Sequence, residues 1–93
     1  MHNHKHSHEK AALNFKKARS VLDKMIAMAE GEAYCIDIMQ QNLAAIGLLK
    51  SAHQMLLEKH LNTCFKDAFE KKSDERRREA IREVLQVAKL SNK

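Results

Sequence analysis

Proline is missing from this sequence, and glycine occurs only at Gly31 and Gly47. A sheet protein needs many tight turns built largely from those two residues, so their scarcity excludes most β architectures. Tryptophan is absent too, and the aromatics are Phe15, Tyr34, Phe65 and Phe69. So few rings make a poor stacking platform for single-stranded nucleic acid. Long apolar runs are also lacking. Beyond the first few residues, the longest stretch without Lys, Arg, Asp or Glu is the 12 residues from Ile38 to Leu49. A helix needs about 20 apolar residues to cross a bilayer, so no membrane role is expected. No basic start followed by an apolar run marks a signal peptide, and the cytoplasm is the expected location. Cysteine occurs only at Cys35 and Cys64. In a reducing compartment such a pair serves metal binding or redox chemistry more often than a structural disulfide.

What is present points to helices. The 93 residues suffice for one domain with a thin core, which makes self-association a reasonable expectation. Apolar residues make up 44% and charged residues 31%, a balance that suits neither a disordered chain nor a membrane protein. The net charge of +5 favours an anionic partner, and with few aromatics duplex DNA fits better than a single strand. Charge alone fits equally well a basic helical protein with no nucleic-acid role.

Residues 1–9 read as a flexible tail in which His2, His4, His6 and His8 alternate with polar residues. Such a tract binds divalent metals loosely, and it is equally compatible with an arm of no specific role. Residues 10–93 read as one helical domain. From Lys10 to Glu30, Phe15, Ala18, Leu22, Met25 and Ala29 repeat at helical spacing, with Val21 and Ile26 widening the stripe. Gly31 is placed to end this helix in a left-handed conformation. A long second helix is predicted from about Glu32 to about Lys72, with Ile36, Met39, Leu43, Ile46 and Leu49 as one stripe that Ala52, Leu56 and Leu57 continue. Ser73 then offers an N-cap, and Asp74 and Glu75 suit the positive end of a third helix. Ala80, Ile81, Val84, Leu85 and Ala88 are its expected apolar face. The prediction is therefore an all-α fold of three helices with a long central one. That central helix would span about 60 Å, more than one short helix on each side can cover.

His60 and Cys64 are four residues apart, a spacing that stacks two side chains on one helical face and suits metal chelation. Cys35 lies 25 positions before His60, which is roughly 37 Å along a helix. One straight helix cannot gather the three, but two antiparallel copies can, Cys35 of each meeting His60 and Cys64 of the other. Such helices would cross near Leu48, where Gly47 permits close approach. Two thiolates and an imidazole form a soft, three-coordinate set that suits Cu(I), whereas zinc asks for a fourth ligand. Spacing alone leaves open a second reading, with both cysteines as small buried apolar residues and His60 as a surface histidine.

The segment Tyr34-Cys35-Ile36-Asp37-Ile38 followed by Gln41, and then Leu56-Leu57-Glu58-Lys59-His60-Leu61-Asn62-Thr63-Cys64, resembles the signature of the copper-sensing operon repressor (CsoR) family. The resemblance covers roughly Ala11 to Leu90. It implies a three-helical chain, a tetramer built from two dimers, and Cu(I) held between two chains by residues matching Cys35, His60 and Cys64. It also implies supporting roles for Tyr34 and for Glu83, within Ala80-Ile81-Arg82-Glu83-Val84-Leu85. Read from the residues alone, Glu83 is equally an exposed helix charge.

The likeness departs in the first helix. DNA-binding members of the family carry an Arg-Ile-Glu-Gly-Gln-x-Arg-Gly-like segment, and here Lys17-Ala18-Arg19-Ser20-Val21-Leu22-Asp23-Lys24 stands in its place. Lys16, Lys17, Arg19 and, on the second helix, Lys50 remain candidates for phosphate contacts. The function implied is a repressor that binds operator DNA without metal and leaves it when Cu(I) binds. Two alternatives stay open. One is a copper-binding protein on the same scaffold without DNA binding. The other is a sensor of nickel or cobalt, of formaldehyde or of persulfide. No acid–base pair or phosphate loop suggests an enzyme.

Overall fold

The computed structural model describes residues 8–66, 70 and 74–91, the side chains of Cys64, Phe65 and Ser91 excepted. Among these residues the elements are helices throughout: α1 (Glu9–Glu30), α2 (Cys35–His60), a π-helical segment (Leu61–Phe65) and α3 (Asp74–Ser91). The all-α reading with three α-helices thus matches the structure. Contacts group the chain into two compact units, one ending at Leu57 and the other beginning at Glu58. The expected cap at Ser73, the tail up to Ser7 and Phe69 lie outside the described residues.

In the first unit, α1 and α2 form an antiparallel hairpin around a four-residue connection. Its seam is made of small side chains. Asn14 donates from Nδ2 to the Leu48 carbonyl at 3.2 Å, fixing the register. Ala11 and Ala18 flank Asn14 at −3 and +4, and Ala45 and Ala52 flank Leu48 at the same offsets. All four alanines are at most 3% exposed. Alanine carries no bulk beyond Cβ, so helices lined by it can approach closely. Asn14 is the buried polar residue of this seam, and its hydrogen bond offsets the cost of burying the amide.

This seam uses faces of α1 and α2 other than the large apolar stripes read from the sequence. The inward stripe of α1 runs Ala11, Asn14, Ala18, Val21, Met25 and Met28, while Phe15, Leu22, Ile26 and Ala29 are exposed. On α2 it runs Ile38, Gln41, Ala45, Leu48, Ala52 and Met55, while Ile36, Met39, Leu43, Ile46 and Leu49 are exposed. Both stripes keep helical spacing, but the small residues face the hairpin partner and the large ones face away. A Cβ added at Gly47 would meet nothing within 4 Å among the described residues, so no contact among them calls for that glycine.

The turn between the helices is a first correction. Gly31 has φ −92° and ψ 12°, not the left-handed conformation expected of it. The left-handed residue is Glu32, at φ 60°. The Ala33 N–H donates to the Met28 carbonyl at 2.9 Å, and that of Gly31 to Ala27 at 2.9 Å. The first of these is the long bond of a Schellman cap, with Glu32 where glycine is usual. Glycine at 31 has another use: a Cβ there would stand 3.1 Å from the Ala27 carbonyl oxygen.

The second correction concerns α2. It begins at Cys35 rather than near Glu32, and its regular α geometry is interrupted after His60, while the predicted end at Lys72 lies outside the described residues. Residues Leu61–Phe65 form one wider π turn, and Lys66 returns to α-helical backbone angles. In the second unit, α3 opens on Asp74 and Glu75, as the charge pattern predicts. Ala80 is buried and Val84 half-buried, while Ile81, Leu85 and Ala88 are exposed.

Candidate metal centre

Tyr34 caps the N-terminus of α2. Its carbonyl accepts the N–H groups of Asp37 at 3.0 Å and Ile38 at 3.3 Å, and its side chain is 70% exposed. Cys35 follows as the first residue of the helix and is an exposed free thiol. His60, half-buried, is the last residue of the same helix. The two ends of a 26-residue helix are roughly 37 Å apart along its axis, so these two donors of one chain do not share an ion. Among the described residues, no three His, Cys, Asp or Glu gather as a metal site within one chain.

Cys64 lies in the π segment, its side chain outside the described set. The step from His60 to Cys64 is therefore not the α-helical step that the four-residue spacing suggests. Between them, the Thr63 hydroxyl donates to the Lys59 carbonyl at 2.6 Å. Sequence reasoning passed over both this turn and Thr63. A signal existed in Asn62-Thr63, two residues whose side chains compete for backbone hydrogen bonds and disfavour regular helix.

Glu83 is exposed on α3, in the same unit as His60. Lys16, Lys17 and Arg19 are exposed on α1 and Lys50 on α2, with the Lys16 carbonyl accepting the Ser20 hydroxyl at 3.3 Å. All four are accessible to an anionic partner. Asp23 is exposed on α1 as well. Among the described residues, no helix is long and apolar enough to cross a membrane.

The chain resembles a set of known proteins in both sequence and fold. Residues 7–89 match the model of a family described as metal-sensitive transcriptional repressors. A copper-sensing transcriptional repressor CsoR of Mycobacterium ulcerans is 41% identical over 84 residues, 89% of this chain and 69% of that protein. One from Bacillus subtilis is 33% identical over 93 residues, 98% of this chain and 89% of that protein. The crystal structure of the copper-sensing repressor CsoR with Cu(I) from Geobacillus thermodenitrificans is similar to this fold with a TM-score of 0.84. That alignment is 29% identical and covers all of this chain and 94% of the other. With the three-helix fold and the Cys–His–Cys spacing already in place, these matches identify the chain as a member of the CsoR family of metal-sensitive transcriptional repressors.

Proposed function

We propose that this protein is a Cu(I)-responsive transcriptional repressor that binds operator DNA without metal and releases it on binding Cu(I). As a member of a family of transcriptional repressors it is not an enzyme. The observation that carries the copper reading is the donor set of Cys35, His60 and Cys64 on a chain whose relatives are named copper-sensing. Two thiolates and one imidazole fit Cu(I), which favours soft donors and low coordination number. The placement of Cys35 and His60 at opposite ends of α2 supports a site completed by a second copy, Cys35 of one chain with His60 and Cys64 of the other.

The exposed large side chains support the same assembly. Ile36, Met39, Leu43 and Ile46 form a stripe on α2 turned away from α1 and 41–66% exposed, with Gly47 beside it. A contiguous apolar stripe of this kind marks an interaction surface. Pairing it antiparallel with its own copy gives a dimer, and two such dimers give the tetramer that the family resemblance implies.

When bound, Cu(I) supplies a soft positive centre that fixes its donors in place. His60 would hold it through one ring nitrogen, which would leave the other ring N–H to donate to a carboxylate. Glu83, exposed on α3, is the proposed acceptor, and Tyr34 stands next to Cys35 as the capping residue of α2. Lys16, Lys17, Arg19 and Lys50 are the proposed phosphate contacts. Metal binding changes DNA affinity only if the metal prefers one arrangement of these faces over another. The His60–Glu83 hydrogen bond would supply that preference by tying the site to α3.

The decisive experiment titrates duplex DNA from upstream of the protein's own gene with metal-free and Cu(I)-loaded protein. Tight binding without metal and weakened binding with Cu(I) is the expected result. The exposed Asp23 on α1, and the loss of the Gly-Gln pair there, favour a second reading: a copper-binding protein that does not bind DNA. Metal-free protein with no affinity above non-specific levels at physiological salt would establish that alternative.

A further inference from the structure

α2 changes geometry at His60, the residue that begins the His60–Cys64 pair. Backbone angles are α-helical at His60 (φ −60°, ψ −45°) and again at Lys66 (φ −58°, ψ −43°), with the π turn Leu61–Phe65 between them. The difference matters for two ligands four residues apart. In an α-helix, four residues turn about 40° past a full circle. In a π turn, with roughly 4.4 residues per turn, they stop about 30° short of one. About the helix axis, backbone position 64 therefore shifts by about 70° relative to position 60 according to which turn the segment adopts.

A side-chain hydrogen bond to the backbone bears on this junction. The Thr63 hydroxyl donates to the carbonyl of Lys59, the residue before His60, at 2.6 Å. Side-chain hydroxyls that insert into the i→i−4 ladder are a recognised cause of local helix distortion. The Lys66 N–H closes the far end of the turn on the Thr63 carbonyl. Thr63 thus takes part in the turn twice, through its hydroxyl on the N-terminal side and its carbonyl on the C-terminal side.

We propose that Thr63 is a positioning residue for the metal centre: its hydroxyl bond to the Lys59 carbonyl holds the π turn that sets His60 relative to Cys64. Thr63 itself ligates nothing. The proposal rests on the reading of His60 and Cys64 as partners in one site. It goes beyond that reading by assigning the pair's geometry to a π turn and to one hydroxyl group.

The test compares Thr63→Val, which keeps the shape and removes the hydroxyl, with Thr63→Ser, which keeps the hydroxyl. Full-length proteins are titrated anaerobically with Cu(I) against a chromophoric Cu(I) chelator, and the loaded proteins are examined by X-ray absorption. Thr63→Val should weaken Cu(I) binding by about ten- to a hundredfold, the usual effect of removing a group that orients a metal ligand. Its absorption edge should change from three-coordinate to two-coordinate as His60 is lost from the site. Thr63→Ser should restore the three-coordinate signature and most of the affinity. If Thr63→Val does not fold, Thr63→Ala removes the same hydroxyl and is read in the same way.

Cys35→Ala serves as the control. Wild-type affinity and a three-coordinate edge in Thr63→Val, with affinity lost in Cys35→Ala, would overturn the role of Thr63 and leave the copper site standing. Wild-type affinity in Cys35→Ala would instead overturn the site itself.

Discussion

Two residues carry most of what can be tested one side chain at a time. Glu32 occupies the left-handed position of the turn after α1, at φ 60°. For an L-residue that conformation costs about 1–2 kcal/mol, and glycine escapes the cost while losing more entropy on folding. Glu32→Gly is expected to stabilise the chain by about 0.5–1 kcal/mol, seen as a higher urea midpoint at unchanged slope. An unchanged or lower midpoint would mean that the turn is not strained at this residue. Cys35, exposed at the first position of α2, is the proposed donor that a second chain cannot do without. Cys35→Ala should abolish tight Cu(I) binding, measured by chelator competition, because a soft thiolate has no substitute in the set. Cys35, His60 and Cys64 were proposed as donors from the sequence, since donor type and spacing are properties of the chain. The capping role of Tyr34 and the hydroxyl bond of Thr63 were not, because each depends on where a helix starts or changes its pitch.

For the helices, period was legible and orientation was not. Apolar residues recur at helical spacing on two sides of both α1 and α2, and a periodic pattern does not say which side meets which partner. Side-chain size decides it. The hairpin closes on Ala11, Ala18, Ala45 and Ala52 around Asn14, and the bulky stripes are left outside. Leucine in such a seam would have to force the helices apart. Ala52, with no exposed surface, is the clearest case: Ala52→Leu should destabilise by about 1–3 kcal/mol in urea unfolding. Little or no loss would show that the seam is looser than its burial indicates. The end of α2 was similarly hidden. No proline or glycine marks residue 60, so composition gives no warning of the π turn that follows it.

On the scale of the whole molecule, the expectations concern assembly and the coupling of metal to DNA. Leu43, 66% exposed on the outward stripe of α2, should lie within the proposed dimer interface. Leu43→Glu would place charges against each other in an apolar interface, and sedimentation should then show dissociated chains at micromolar concentration. An undisturbed assembly would move the interface elsewhere. Glu83→Ala should leave Cu(I) affinity nearly intact while blunting release of DNA, since Glu83 is proposed to accept from the His60 ring rather than to bind metal. DNA affinity without metal should fall steeply with salt, because the proposed lysine and arginine contacts are to phosphates. The sequence by itself determined the helical class through composition and period, and the family through its resemblance in the Cys35 and His60–Cys64 segments; it also supplied the three proposed soft donors. The tertiary structure decided which faces close the hairpin, that Glu32 rather than Gly31 takes the left-handed turn, and that His60 and Cys64 are joined by a π turn. These follow from close packing and backbone hydrogen bonding between groups that spacing alone does not bring together.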